Sequence, residues 1–487
     1  MIAAAMAAML VFTSANVADV NAEETVLAVS ENAVTGETGA GVVEAQKNTG
    51  EPEVENGGAE NREAENTDLD AETADPDTET ADGTHTYKNG FCTDDGCDAY
   101  EPAVLTTGKY DIDANGEKTD SDEAYEIGNA GQLYWFAGLV NGTLTDGTAQ
   151  NLKANAVLAA DIIVNKDLLA SINTDKDGNV TNGSSFKAWR PMGMADEKGN
   201  LTGWYTGIFD GNGHSISGLY VNRDEAADDV HTWFKSCIGL FGYYSGLTRN
   251  LSVLDSYMRG KSSVGGIIGY IGYNKTGTVQ NCYSAATVWG IDSIGGICGA
   301  SGGISKIENC YNMGNICGKT EVGGICGDNY AIIKNCYNVG SVKGEMKVGG
   351  ITGANTKGDN VEEKITDCYN RGNVTGDRNI GGISGYDYCS LVENCYSQAT
   401  VSGNTNVGGI CGNGYKADFQ NTYYDSNLYT GDAFGYSEDA TIKQTEGKPS
   451  QAFESGEIAY LLQADREEPV WGQTLSGNDV QAYPILG

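Results

Sequence analysis

Three clusters in the first half of the chain carry residue types that could do chemistry. The first is His85-Thr-Tyr-Lys-Asn-Gly-Phe-Cys92-Thr-Asp-Asp-Gly-Cys97. One imidazole and two thiols are zinc ligands, and a structural zinc site needs a fourth to close its tetrahedron. Asp94, Asp95 and Asp98 are the carboxylates close enough in sequence to supply it. A local Cys92–Cys97 disulfide is the competing reading. The second cluster is Asp111, Asp113, Asn115, Glu117 and Asp122, with Gly116 after the third. Oxygen ligands at alternate positions, a glycine at the sharp turn and a closing carboxylate form a calcium loop. Lys118 stands where such loops carry an apolar anchor, and a solvated Asp/Gly turn is the plain alternative. Asn173-Thr-Asp175-Lys-Asp177-Gly178 repeats the opening of the pattern but offers Ser184 at its close. The third cluster, Asp210-Gly-Asn-Gly-His214, places a carboxylate near an imidazole. Acid–base work needs further partners, so a tight turn with a hydrogen-bonded histidine is expected.

What must position these residues is written in the second half. Val264-Gly-Gly-Ile-Ile-Gly269 recurs at Ile294, Val322, Val348, Ile380 and Val407, at steps of 30, 28, 26, 32 and 27 residues. A second phrase follows each copy: Asn281-Cys-Tyr283, Asn309-Cys-Tyr311, Asn335-Cys-Tyr337, Asp367-Cys-Tyr369, Asn394-Cys-Tyr396 and Asn421-Thr-Tyr423. A degenerate copy, Ile238-Gly-Leu-Phe-Gly242, precedes them. A period in this range means a stacked array. Each repeat holds three short apolar runs bounded by Gly, Asn or Ser, which read as strands. Three strands per repeat make one coil of a parallel β-helix, and the coils must stack to bury their inner faces. Val264 and Ile267 can both point inward only if the chain bends or bulges at the glycines between them. The two longest repeats carry extra residues at Tyr270–Lys275 and Lys357–Lys364, expected as loops.

Thirteen cysteines invite a disulfide framework. Yet Cys282, Cys310, Cys336, Cys368 and Cys395 occupy one repeat position, and Thr422 fills the sixth. Small half-polar residues replace one another in this way at a size-limited packing site, so reduced core thiols are expected.

Net charge is −37, and residues 1–125 hold 29 Asp/Glu against 5 Lys/Arg. Nucleic acid and anionic membrane surfaces want basic protein. The first residues read as a signal peptide, 1–22, with Val20-Asn-Ala22 as its cleavage site. Without a basic n-region, Met1 reads as a late start in a longer leader. Residues 23–80 are acidic and almost free of aromatics, a disordered linker. A small segment over 81–125 carries the first two clusters. Residues 126–237 read as an N-terminal cap and irregular β-coils, 238–424 as the repeat array, 425–487 as a C-terminal cap. Asn129-Ala-Gly-Gln132 is a capping box before Leu133–Val140, and Ser450–Gln463 is helical in pattern.

The phrases Val-Gly-Gly-Ile-x-Gly and Asn-Cys-Tyr-Asn-x-Gly-x-Val-x-Gly resemble GLUG-motif repeats of bacterial cell-surface proteins. The resemblance covers residues 85–487. It implies a right-handed parallel β-helix, all-β with short helical caps, in an exported protein. Some such arrays lie beside IgA-cleaving metalloproteases, but no His-Glu-x-x-His occurs among His85, His214 and His231. No catalytic residue carries over.

The expected function is therefore a non-catalytic secreted or cell-surface scaffold, acting as a monomer in adhesion to a glycan or host protein. No nucleic acid, membrane insertion or certain cofactor is expected; calcium and zinc are the two open metals. The alternatives are a polysaccharide-active β-helix lyase or hydrolase and an accessory region of a surface metalloprotease.

Overall fold

The computed structural model describes residues 85–193, 203–223, 237–357, 364–476 and 480–487, with the backbone of Thr78–Glu79. The expected signal peptide, nearly all of the acidic linker, His231 and residues 358–363 of the second long insertion lie outside the described residues.

The repeats stack as a parallel β-solenoid of about ten turns. Val264 pairs with Ile294, Ile294 with Val322, Val322 with Val348, Val348 with Ile380 and Ile380 with Val407, so like residue lies over like. The stack continues past the expected array at both ends. Upstream, Ile208–Asp210 and Ser215–Ser217 pair parallel with Leu247–Arg249 and Ser252–Leu254. Downstream, Phe434–Glu438 and Thr441–Lys448 add a further rung to Cys411–Tyr415 and Asp418–Asp425.

The four turns that start at Ser262, Asp292, Thr320 and Met346 carry five short strands each rather than three. In one turn they are Ser262–Gly265, Ile268–Ile271, Thr278–Gln280, Tyr283–Ser284 and Thr287–Trp289. Two breaks account for the difference. The first falls at the glycine pair, where the chain bends and lets Val264 and Ile267 both point inward, fully buried. Positive φ is not the reason for glycine there, since neither Gly265 nor Gly266 has one. Close approach is. A Cβ on Gly323 would lie 2.0 Å from Cys326 O, and one on Gly324 2.1 Å from Gly350 O in the next rung. The second break falls at Asn281, Asn309, Asn335 and Asp367; Asn394 and Asn421 hold the same position inside continuous strands, and all six are left-handed with φ of 52–54°. Asn and Asp tolerate that conformation better than other side-chain-bearing residues.

Amide ladders run along the stack. Outside, Asn309 donates to Asn281 at 3.1 Å and Asn335 to Asn309 at 3.0 Å. Inside, Asn312 donates to Asn338 and Asn338 to Asn370, each at 2.8 Å, among residues with no solvent exposure. Asp367 interrupts the outer ladder because a carboxylate has no N–H to pass on, and Asn335 Oδ1 is left buried without a partner. The carboxylate instead accepts from Arg466 Nη1 at 2.6 Å and Trp471 Nε1 at 3.1 Å.

The capping box forms as expected: Asn129 accepts from Gln132 N at 2.9 Å, and Gln132 Oε1 from Gly128 N at 2.7 Å. The helix spans Ala130–Asn141 and is buried on every side, with Gly142 closing it in the left-handed region. Tyr134, Trp135 and Phe136 are core residues. The C-terminal helices Ser450–Glu454 and Glu457–Gln463 lie on the flank, against Tyr369, Tyr396 and Tyr423.

Candidate functional site

The glycine bend turns the residue after each first phrase outward. Along one parallel sheet these residues are Tyr270, Ala300, Asp328, Ala354, Tyr386, Asn413 and Tyr436, paired rung to rung. At about 4.8 Å per rung the strip is roughly 29 Å long. Aromatic rings gather at both ends. Trp204 meets Tyr243 at 5.0 Å and Tyr270 at 5.7 Å, while Tyr388 stacks on Tyr415 at 5.5 Å. Lysine ammoniums lie over three of the rings: Lys275 over Trp204, Lys347 over Tyr386, Lys416 over Tyr415.

Charge is concentrated at the middle of the strip. Lys347 Nζ binds Glu321 Oε1 at 2.7 Å, and Ser293 Oγ donates to Glu321 Oε2 at 3.2 Å. Glu321 and Lys347 reach this place because both hold the left-handed backbone position just before the Val of their rungs. Asp328 lies half-buried between two alanine rungs. Burial, then the charge of Glu321, push its carboxyl up to about 8. The same two causes raise Asp292 above the usual carboxylate range. The centre thus sets a carboxyl of raised pKa beside an ion-paired carboxylate, between platforms of flat rings.

The sequence-predicted residues fall elsewhere. His85, Cys92 and Cys97 converge: their ligand atoms lie within 4.8 Å of one another. Asp94 is the aspartate that joins them, 3.4 Å from Cys92 Sγ and 3.6 Å from His85 Nδ1. Asp111, Asp113 and Asp122 also bring carboxylate oxygens within 4.8 Å. That loop is closed by its own donors. Asp111 accepts from Asn115 N and Gly116 N, and Asp122 from Ile112 N, Thr119 N and Thr119 Oγ1. The Thr119 bonds hold Asp122 below its ordinary value. Asn115 joins through its backbone N–H and Oδ1, while the Glu117 carboxylate is exposed. Asp175 closes a hairpin turn, accepting from Asp177 N and Asn179 N at 2.9 and 2.8 Å.

Asp210 and His214 do not form a pair. Asp210 binds Arg249 Nε at 2.7 Å, and His214 Nδ1 lies 3.4 Å from Asp161. Asp387 is fully buried at the end of an amide ladder, accepting from Asn355 at 2.8 Å. The five ladder cysteines are free and buried. Each thiol donates to the carbonyl two residues earlier, at 3.1–3.2 Å.

Fold and site together define a parallel β-solenoid repeat protein with one aromatic and charged outer strip. No family model matches the chain. A 126-residue stretch, 25% of this chain, is 31% identical to halomucin of Haloquadratum walsbyi, and it spans 1% of that protein's length. A crystal structure from Bacteroides ovatus, provisionally described as an immunoglobulin A1 protease, aligns at a TM-score of 0.44 and 21% identity. The alignment covers 76% of this chain and 93% of that one.

Proposed function

We propose that this protein is a non-catalytic, secreted or cell-surface scaffold that holds a glycan or a host protein along the Tyr270–Tyr436 strip. The observation that carries the reading is the strip itself: half-exposed aromatic rings in register, flanking a compact mixed-charge centre. Flat rings with a few placed polar groups suit sugar faces and extended chains better than a compact metabolite. The similarity of one stretch to halomucin is compatible with a surface or secreted setting. Among the described residues no helix is long and apolar enough to cross a membrane.

One observation favours a polysaccharide-active enzyme as the second reading. Asp328, whose carboxyl burial and the Glu321 charge push up to about 8, lies beside a second carboxylate, a combination that acid and base roles use. Against it, Lys347 already neutralises Glu321. A glycan array combined with acidic polysaccharides assayed for new reducing ends or unsaturated products decides between them. Binding without turnover is expected, weakened at least about tenfold by Trp204→Ala or Tyr386→Ala. Turnover abolished by Asp328→Asn overturns the scaffold reading.

A further inference from the structure

The hairpin before the cap helix gathers two thiols, an imidazole and a carboxylate in one place. Cys92 Sγ and Cys97 Sγ lie 3.5 and 3.4 Å from the same atom, His85 Nδ1, and Asp94 Oδ2 lies 3.6 Å from it. A neutral imidazole nitrogen of this kind has one lone pair or one N–H. It cannot satisfy two thiols and a carboxylate at once. A cation between the two thiols and the imidazole, with Asp94 beside two of them, can.

The separations test this directly. Around zinc, with bonds of roughly 2.3 Å to sulfur and 2.0–2.1 Å to nitrogen or oxygen, tetrahedral edges come to about 3.5 Å for S···N and S···O and about 3.3 Å for N···O. The two S···N distances are 3.5 and 3.4 Å, Cys92 Sγ to Asp94 Oδ2 is 3.4 Å, and the N···O distance is 3.6 Å. The mutually close set is His85, Cys92 and Cys97, and Asp94 meets two of the three, so its side chain must swing toward Cys97 to close the fourth position. Outer contacts hold the ligands in place. Ala99 N donates to Cys97 Sγ at 3.5 Å, and Cys97 N to Asp94 O at 3.0 Å.

We propose that His85, Cys92, Asp94 and Cys97 bind one zinc-class divalent cation that fastens this hairpin over the N-terminus of the cap helix. The hairpin already meets the helix closely. Asn89 O accepts from Gly131 N at 2.9 Å, Asn89 Oδ1 from Ala130 N at 3.3 Å, and a Cβ on Gly131 would lie 1.8 Å from Gly90 O. Phe91 packs edge-on to Tyr134 at 5.3 Å, with the Lys187 ammonium 3.7 Å above its ring. The cation ties both ends of the hairpin together, and the hairpin roofs a helix that plugs the solenoid.

The test uses the full chain, reduced and stripped of metal. Cobalt is titrated in, the thiolate-to-cobalt absorption is read, and zinc is then added to displace it. One cobalt per chain is expected, displaced by zinc. The Cys92→Ser/Cys97→Ser double variant should lose the band while circular dichroism keeps its β signal. His85→Ala should abolish the band and Asp94→Asn should weaken binding by about tenfold or more. Zinc should also slow proteolysis within residues 85–128 of the parent chain. No cobalt–thiolate band, a band surviving in the double variant, or a Cys92–Cys97 disulfide in protein taken from its native medium would each overturn the proposal.

Discussion

At the scale of single residues, burial decides what each reactive group can do. The ladder thiols Cys282, Cys336 and Cys368 are raised well above the ordinary thiol value, first by burial. Thiolate is the reactive form, so these side chains act as packing. In folded, reduced protein stripped of metal, iodoacetamide is expected to label the half-exposed Cys92 and Cys97, and to reach the five ladder cysteines only in denaturant. Ladder cysteines that stay unlabelled in denaturant without reductant would show them bridged. Asp328 has the opposite character, a group placed to titrate. Its folded-state value of about 8 lies above the 3.8 of a free aspartate. The protonated form is therefore the stabilising one: its contribution is full below pH 4 and is lost as pH rises through 8. Asp328→Asn should remove that slope and raise stability at pH 9 by about 1–2 kcal/mol, after allowance for solvent reach. Thermal melts of both proteins at pH 5 and pH 9 check it; parallel slopes would place the titration elsewhere.

At the scale of the element, the turn is held by backbone pairing inside and out, and its two amide ladders differ in consequence. Asn338→Ala removes the acceptor of Asn312 and the donor to Asn370, both fully buried. Each of these amides keeps a glycine partner, but three buried hydrogen bonds go, counting Asn338 to Gly340 O, and the loss should cost about 3–5 kcal/mol in urea melts. Asn309→Gly, on the exposed ladder, keeps the left-handed backbone and returns its amide partners to water. It should cost about 1 kcal/mol or less; equal losses would mean the inner ladder bears no special load. The period and the paired phrases were legible from the sequence, because identical surroundings in every rung demand like residues. So were the capping box and the metal-type clusters, whose spacing is local. The five-strand turn was not, since it depends on where backbones crowd. Nor was the buried state of Asp387: a ladder acceptor and an outward acid look alike in one dimension. The Asp328 strip was half-legible. The residue after each first phrase varies from Tyr to Ala to Asp to Asn, but its direction is set by the bend.

At the scale of the whole molecule, stability should be a sum over neighbouring rungs, because each turn pairs with the one before and the one after. Thr320 and Met346 are register partners, so residues 320–345 constitute one complete turn. Removing them would bring Met346 onto Asp292, Cys368 onto Cys310 and Asn370 onto Asn312, and every ladder would close again. The shortened chain should fold, with a β spectrum and a single cooperative melt. Removing residues 320–339 instead would misalign every later rung and turn the Ile and Cys positions away from the core, so that chain should aggregate. The first deletion also takes Glu321 and Asp328 out of the strip while leaving Tyr270 and Tyr386 in place. If the strip binds through its charged centre, ligand affinity is lost in a protein that remains folded. If both deletions fold equally well, or neither does, register between rungs is not what organises this chain.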